Sequence, residues 1–225
     1  MTPQLIPLLH LASPQLPVGG FAYSQGLEAA VEADLVTDAT SAGGWISGVL
    51  NASLARFEAP LLARLVAALQ NGQVAEVERL NGLFAASRET SELLDETARM
   101  GRALAIWLRD LGVAGEAELR LLDGLRPLTY PTAFASAAAA LGLEAGDAVT
   151  AYLWAWLENQ VMAAVKLVPL GQTAGQRLLL DLGPQLPAIA ERALDLPESD
   201  WSGLAPGFAI LSSRHETQYS RLFRS

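Results

Sequence analysis

Apolar residues in this chain recur at intervals of three and four and seldom alternate, a period that commits the backbone to helices and leaves little from which to build a sheet. The spacing predicts a short helix over 6–11, then helices over 21–35 and 39–55, the latter with Asp38 or Thr40 as its N-cap. A fourth carries Leu61, Leu62, Leu65 and Leu69 and stops at Asn71-Gly72. Helices follow over 74–86, 91–111, 133–141, 145–168 and 172–182, and Pro184, Pro187, Pro197 and Pro206 break up what comes after. In the 21–35 helix, Leu27, Val31 and Leu35 form the inward stripe and Glu28, Glu32 and Asp34 lie off it. The 91–111 helix turns Leu93, Leu94, Ala98, Leu104, Trp107 and Leu108 to the core. The fold class is therefore all-α, a bundle of about ten helices. With 225 residues, no internal repeat and no linker, the chain is expected to form a single domain over 1–225.

Just over half the residues are hydrophobic and 17% are charged, which excludes disorder and implies that some apolar surface meets a partner. Twenty-four acidic residues against fifteen basic ones give a formal charge of −9, so the chain repels a phosphate backbone and nucleic acid is not an expected ligand. There is no cysteine, hence no disulfide, thiolate metal site or cysteine nucleophile. Pro3, Pro7 and Pro14 interrupt an N-terminus that lacks a basic leader, and no apolar run reaches membrane-spanning length. A cytoplasmic location and no membrane partner are expected.

Reactive groups are few. His10 and His215 are the only histidines and are far apart, no metal-ligand or phosphate-loop motif occurs, and no strand leads into Gly19, Gly20 and Gly26, which read as a tight turn. The carboxylate pairs Glu76/Glu78 and Asp95/Glu96 read as solvated faces. No catalytic residue, metal site or cofactor is expected, and the chain is not expected to be an enzyme. Two features are less ordinary. The only lysine, Lys166, lies where the 145–168 helix ends, and either complements the helix dipole or contacts a partner. The segment 213–225 carries three arginines against one glutamate, with Tyr219, Leu222 and Phe223 at helical spacing. It reads as a tail that docks elsewhere rather than a helix packed on its own body. Its removal is accordingly expected to leave the melting point nearly unchanged.

Three stretches carry a resemblance to a known family. They are Leu9-His-Leu-Ala-Ser-Pro-Gln-Leu-Pro-Val-Gly-Gly-Phe-Ala-Tyr-Ser-Gln-Gly-Leu-Glu28, Ala164-Val-Lys-Leu-Val-Pro-Leu-Gly-Gln-Thr173 and the segment 213–225. In this order they are similar to the urease accessory protein F family over the whole chain. His10 stands where that family would carry glutamine, and Ala135 where it tends to carry glycine. The resemblance implies an all-helical homodimer that joins the accessory protein called D or H and recruits the GTPase G for GTP-dependent nickel insertion into the urease apoprotein. It implies partner-binding roles for the terminal segments 1–20 and 213–225. The residues concerned are Pro17, Gly19, Gly20, Phe21, Tyr23, Ser24, Gly26 and Glu28 near the start, Lys166, and Arg214, His215, Glu216, Tyr219, Ser220, Arg221 and Arg224 at the end. An alternative within the same setting is a strict GTPase activator that inserts Arg221 or Arg224 as an arginine finger.

Overall fold

The computed structural model describes residues 4–225; Pro3, and with it the first three residues of the 1–20 segment, lies outside them. Twelve α-helices follow one another, and no strand occurs among the described residues, so the chain is all-α. They are α1 (Leu5–Leu11), α2 (Leu27–Glu32), α3 (Ala39–Val49), α4 (Ala59–Gln70), α5 (Val74–Ala86), α6 (Ser91–Asp110), α7 (Glu116–Gly124), α8 (Tyr130–Ala140), α9 (Ala145–Leu167), α10 (Gln172–Leu182), α11 (Leu186–Asp195) and α12 (Pro206–His215). At 23 residues and about 35 Å, α9 is the longest, and α4, α10 and α11 pack along it. Against α4 and α6 lies α8, whose Ala133, Ala135, Ala137 and Ala138 are fully buried. Small side chains let those backbones approach, and the methyl group of Ala135 fits without an exposed edge.

The expected 21–35 helix is confined to α2. Gln25, Gly26 and Asp34 all adopt positive φ, at 50°, 76° and 56°, which a continuous right-handed helix cannot contain. The inward stripe is also rearranged, because Leu35 is exposed whereas Glu28 is buried. Leu94, expected inside, is exposed, while Glu96, expected on a solvated face, is buried.

Two expected helices, 39–55 and the one that begins near Leu61, are joined without a break. Asp38 caps α3 by accepting from the Ser41 amide at 2.8 Å, and Ser41 Oγ accepts in return from the Asp38 amide at 3.0 Å. The stretch Leu50–Glu58 then widens into a π-helix and runs directly into α4. Pro60, which has no N–H to give and crowds the carbonyl four residues back, falls just where the wide turns end.

After α10 the prolines begin helices instead of preventing them. Pro187 and Pro206 sit in the first turn of α11 and α12, where a missing N–H costs nothing and a fixed φ suits the helix. The opposite correction applies to the tail, where helix ends at His215 and residues 216–225 form no helix, so Tyr219, Leu222 and Phe223 do not share a helical face.

Gly101 marks the closest approach in the core. A Cβ there would lie 2.5 Å from the Leu128 carbonyl oxygen and 2.9 Å from the Thr129 backbone. Alanine would gain up to about 1 kcal/mol of helix propensity but would push α6 away from the entry to α8. Gly101→Ala is expected to lose roughly 2 kcal/mol net and about 5 °C of melting temperature, measured by calorimetry.

Candidate functional site

The C-terminal segment lies across the N-terminal end of α6 and the start of α2, fastened by side chains from both. The first turn of α6 has Thr90 as N-cap, its hydroxyl accepting from the Leu93 amide at 3.2 Å. Glu216 takes the amides of Ser91 and Glu92 at 2.9 and 3.3 Å and the Ser91 hydroxyl, placing a negative charge where the helix dipole favours one. These bonds hold the Glu216 carboxyl below its usual range, the Ser91 hydroxyl being the largest cause. The fully buried His215 ring meets Glu92 through Nδ1 at 2.7 Å and Glu28 through Nε2 at 3.1 Å. Arg221 pairs with Glu92, and Glu28 accepts from the amides of Leu222 at 2.6 Å and Phe223 at 2.9 Å.

The last residues alternate. Phe223 and Ser225 are buried, and Leu222 and Arg224 face outward. The Arg224 amide donates to the Ala22 carbonyl at 2.9 Å. The Ser225 carbonyl oxygen receives three donors, the Ser24 amide at 2.8 Å, the Gln25 amide at 3.0 Å and the Ser24 hydroxyl at 2.6 Å. Two neighbouring amides thus converge on one oxygen, immediately ahead of the left-handed Gln25 and Gly26. A side chain on Gly26 would stand 2.9 Å from Ser212 Oγ in α12, so that position also needs glycine for room.

Beneath the strap is a buried charged network. The Ser225 hydroxyl donates to Glu96 Oε2 at 2.6 Å and Gln25 Nε2 donates to Oε1 at 2.7 Å, while Gln25 Oε1 accepts from the Trp156 indole at 2.6 Å. Burial pushes the Glu96 carboxyl up to about 7, against hydrogen bonds from Ser225 and Gln25 that pull it down. Nearby, Arg88 pairs with Glu58 at 3.0 Å, with both side chains under one-tenth exposed, and lies 4.1 Å over the Phe84 ring. Glu58 also accepts from the Tyr152 hydroxyl at 2.8 Å, and burial, with Glu58 beside it, raises the Tyr152 hydroxyl well above its ordinary value. A cavity of about 430 Å³ separates this network from the Pro14–Phe21 turn, with Leu16, Met100 and Trp156 among its apolar walls and Lys166 at its edge.

Of the sixteen residues singled out in the sequence, Pro17, Phe21, Lys166, Arg214, Tyr219, Ser220, Arg221 and Arg224 are exposed, and Gly19, Gly20 and Glu216 are partly so. Tyr23, Ser24, Gly26, Glu28 and His215 are buried, where they anchor or support the strap. Lys166 sits in the last turn of α9 with its ammonium 5.6 Å from the Phe223 ring, so it touches the tail as well as the helix end. The segment 216–225 thus packs on its own body, contrary to the expectation of a tail held elsewhere. The reason is that its hydrogen-bond partners are buried carboxylates on α2 and α6. The residues that sequence reasoning missed are Gln25, Glu58, Arg88, Glu92, Glu96 and Ser225. One signal was present, since Glu96 falls three residues after Leu93 and four before Met100, on the apolar stripe of α6.

The UreF family model matches residues 36–183. The chain is 60% identical to the urease accessory protein UreF of Azoarcus sp. (strain BH72), over 98% of this chain and 95% of that one. The chain belongs to the UreF family. Proteins of the same name from Dechloromonas aromatica (strain RCB) and Cupriavidus metallidurans are 51% and 50% identical, each over 99% of this chain and 98% of its own length. The family model leaves out both the Pro14–Glu28 region and the strap, whereas the similarity to the UreF relatives covers 98–99% of this chain. Urease accessory function is what these relatives' names record. No helix among the described residues is long and apolar enough to cross a membrane.

Proposed function

We propose that this UreF-family chain is a cytoplasmic urease maturation chaperone without catalytic chemistry of its own. It works as a homodimer on the D or H accessory protein, recruits the GTPase G and so supports nickel insertion into the urease apoprotein. The observation that carries this reading is the two-sided build of the strap. Its inner side chains are consumed by hydrogen bonds to the body, while Tyr219, Leu222 and Arg224 stand exposed on a backbone held in place. Aromatic, aliphatic and guanidinium groups on a preorganised segment are the mix found at energetically dominant contact positions. Phe21, 70% exposed on the turn beside Ala22, extends the same apolar surface toward the N-terminal segment. The homodimer and the nickel cargo rest on family membership, and the exposed Leu180 and Leu204 are apolar surface that an assembly could cover.

The test keeps the inner face intact. In the triple variant Tyr219→Ala, Leu222→Ala, Arg224→Ala, melting is expected to stay within about 2 °C of the native protein while capture of the GTPase through the D or H partner falls at least roughly tenfold. Capture at the native level would remove the strap from the docking surface. Arg221 is already paired with Glu92, which favours a docking arginine over a finger beside a transferred phosphoryl group. The GTP hydrolysis rate of the complex with the single variant Arg224→Ala separates those two.

A further inference from the structure

Most polar groups around the cavity already satisfy one another. Glu58 is taken by Arg88 and Tyr152, and Gln25 by Trp156 and Glu96, so the space calls for no ligand. Glu96 differs from the others in what it joins. It lies on α6, accepts from the turn that precedes α2 and accepts from the far end of the strap, so three separate parts of the chain meet at one buried carboxyl. We propose that Glu96 is a pH-responsive fastener for the C-terminal strap, holding it most tightly in mildly acidic solution and releasing it progressively as the solution becomes alkaline. This rests on the reading of the strap as a docking surface, and makes presentation of Tyr219, Leu222 and Arg224 depend on pH.

Burial sets the direction, outweighing the Ser225 hydroxyl bond, which by itself favours the ionised carboxylate. The ionised carboxylate has only the neutral donors of Gln25 and Ser225 in direct contact. The charged and titratable groups that face it are Glu58 from the π-helical stretch, Arg88 after α5, Glu92 one turn back on α6 with His215 behind it, and Tyr23 with Arg224 from the turn and the strap. Tyr130 of α8 and Tyr152, Glu158 and Lys166 of α9 line the same cavity. Arg88, the cation that acts on Glu96, is already committed to Glu58 at 3.0 Å. An ionised Glu96 is therefore an undercompensated buried charge, and lifting Ser225 away admits the water it lacks.

Burial sets the closed-state carboxyl at about 7, against 4.5 for a free one. Lifting the strap admits water and moves that value back toward the free one, so over the interval between the two states the closed form binds more protons than the open form. The hold is strongest in acid, weakens as pH rises toward 7 and is minimal above it. From pH 5 to pH 8 the ratio of open to closed strap is expected to rise on the order of tenfold or more.

Hydrogen exchange on the full chain reads this directly, at the Leu222 and Phe223 amides bound to Glu28 and the Arg224 amide bound to Ala22. After correction for intrinsic base catalysis, their protection should fall about tenfold or more from pH 5 to pH 8 while amides in the middle of α9 do not change. In Glu96→Gln, which keeps an acceptor but cannot ionise, most of that fall should vanish. Glu96→Met serves the same purpose if the amide variant folds poorly. Flat protection in the native chain, or an equal fall in both variants, would overturn the assignment. Exchange is measured without any partner, so failure here and failure of the triple surface variant to lose the GTPase are separate results.

Discussion

Removing residues 214–225 is expected to lower the melting temperature by roughly 10 °C and to abolish GTPase recruitment through the D or H partner. The thermal part follows from what the segment fills. Phe223 is 6% exposed, and truncating a phenylalanine at such a site costs about 3–5 kcal/mol, which for a chain of this length corresponds to roughly 10 °C. The carboxylates of Glu28 and Glu96 would also lose the Leu222, Phe223 and Ser225 donors while remaining partly buried, and the α6 N-terminus would lose Glu216. Two assays separate the effects. Differential scanning calorimetry reports the fit of the strap to its own body, and pull-down reports the outer face. An unchanged melting point would mean that the strap contributes nothing to the fold, while retained capture would show that the GTPase does not need it. The triple surface variant should lose capture alone, so comparison with the truncation isolates the face from the fastening.

Arg88→Met should cost about 3–5 kcal/mol, more than any substitution of an exposed arginine in the chain. The native guanidinium neutralises Glu58, stacks over Phe84 and lowers the charge burden on Glu96. Methionine fills a similar volume but leaves the buried Glu58 carboxyl without its cation and with only the Tyr152 hydroxyl as donor. The double variant Arg88→Met, Glu58→Gln should regain most of the loss, because the penalty belongs to the stranded charge rather than to a missing attraction. Denaturant unfolding of the two variants beside the native chain measures both numbers. A single variant within about 1 kcal/mol of native would mean that water reaches Glu58, and that this part of the network is not closed. By contrast, the Arg99–Asp95 pair has both side chains more than half exposed, and breaking it should change stability little.

Much of the fold was legible because helical periodicity is a local property. The boundaries of α5, α6, α9 and α10 follow from where apolar spacing starts and where Gly or Pro stops it, and the Asp38 cap needs only the three residues that follow it. Legibility failed where one residue's role depends on a distant one. The prolines at 187 and 206 look alike in sequence whether they break a helix or begin it. The π-helical stretch left no pattern distinct from an ordinary helix. Glu28 and Glu96 carry charge, and charge alone argues for a solvent face; burial became tolerable through partners such as His215, Leu222, Phe223, Gln25 and Ser225, up to 195 positions away in the chain.

The sequence by itself determined that this chain is all-helical and of the UreF family, because both rest on residue types at fixed local spacing. Which carboxylates are buried, and whether the basic tail is free or fastened, was decided only by tertiary structure. A hydrogen bond is satisfied or lost according to what lies within about 3 Å, and no local pattern specifies that for Glu96 and Ser225, which are separated by 129 positions.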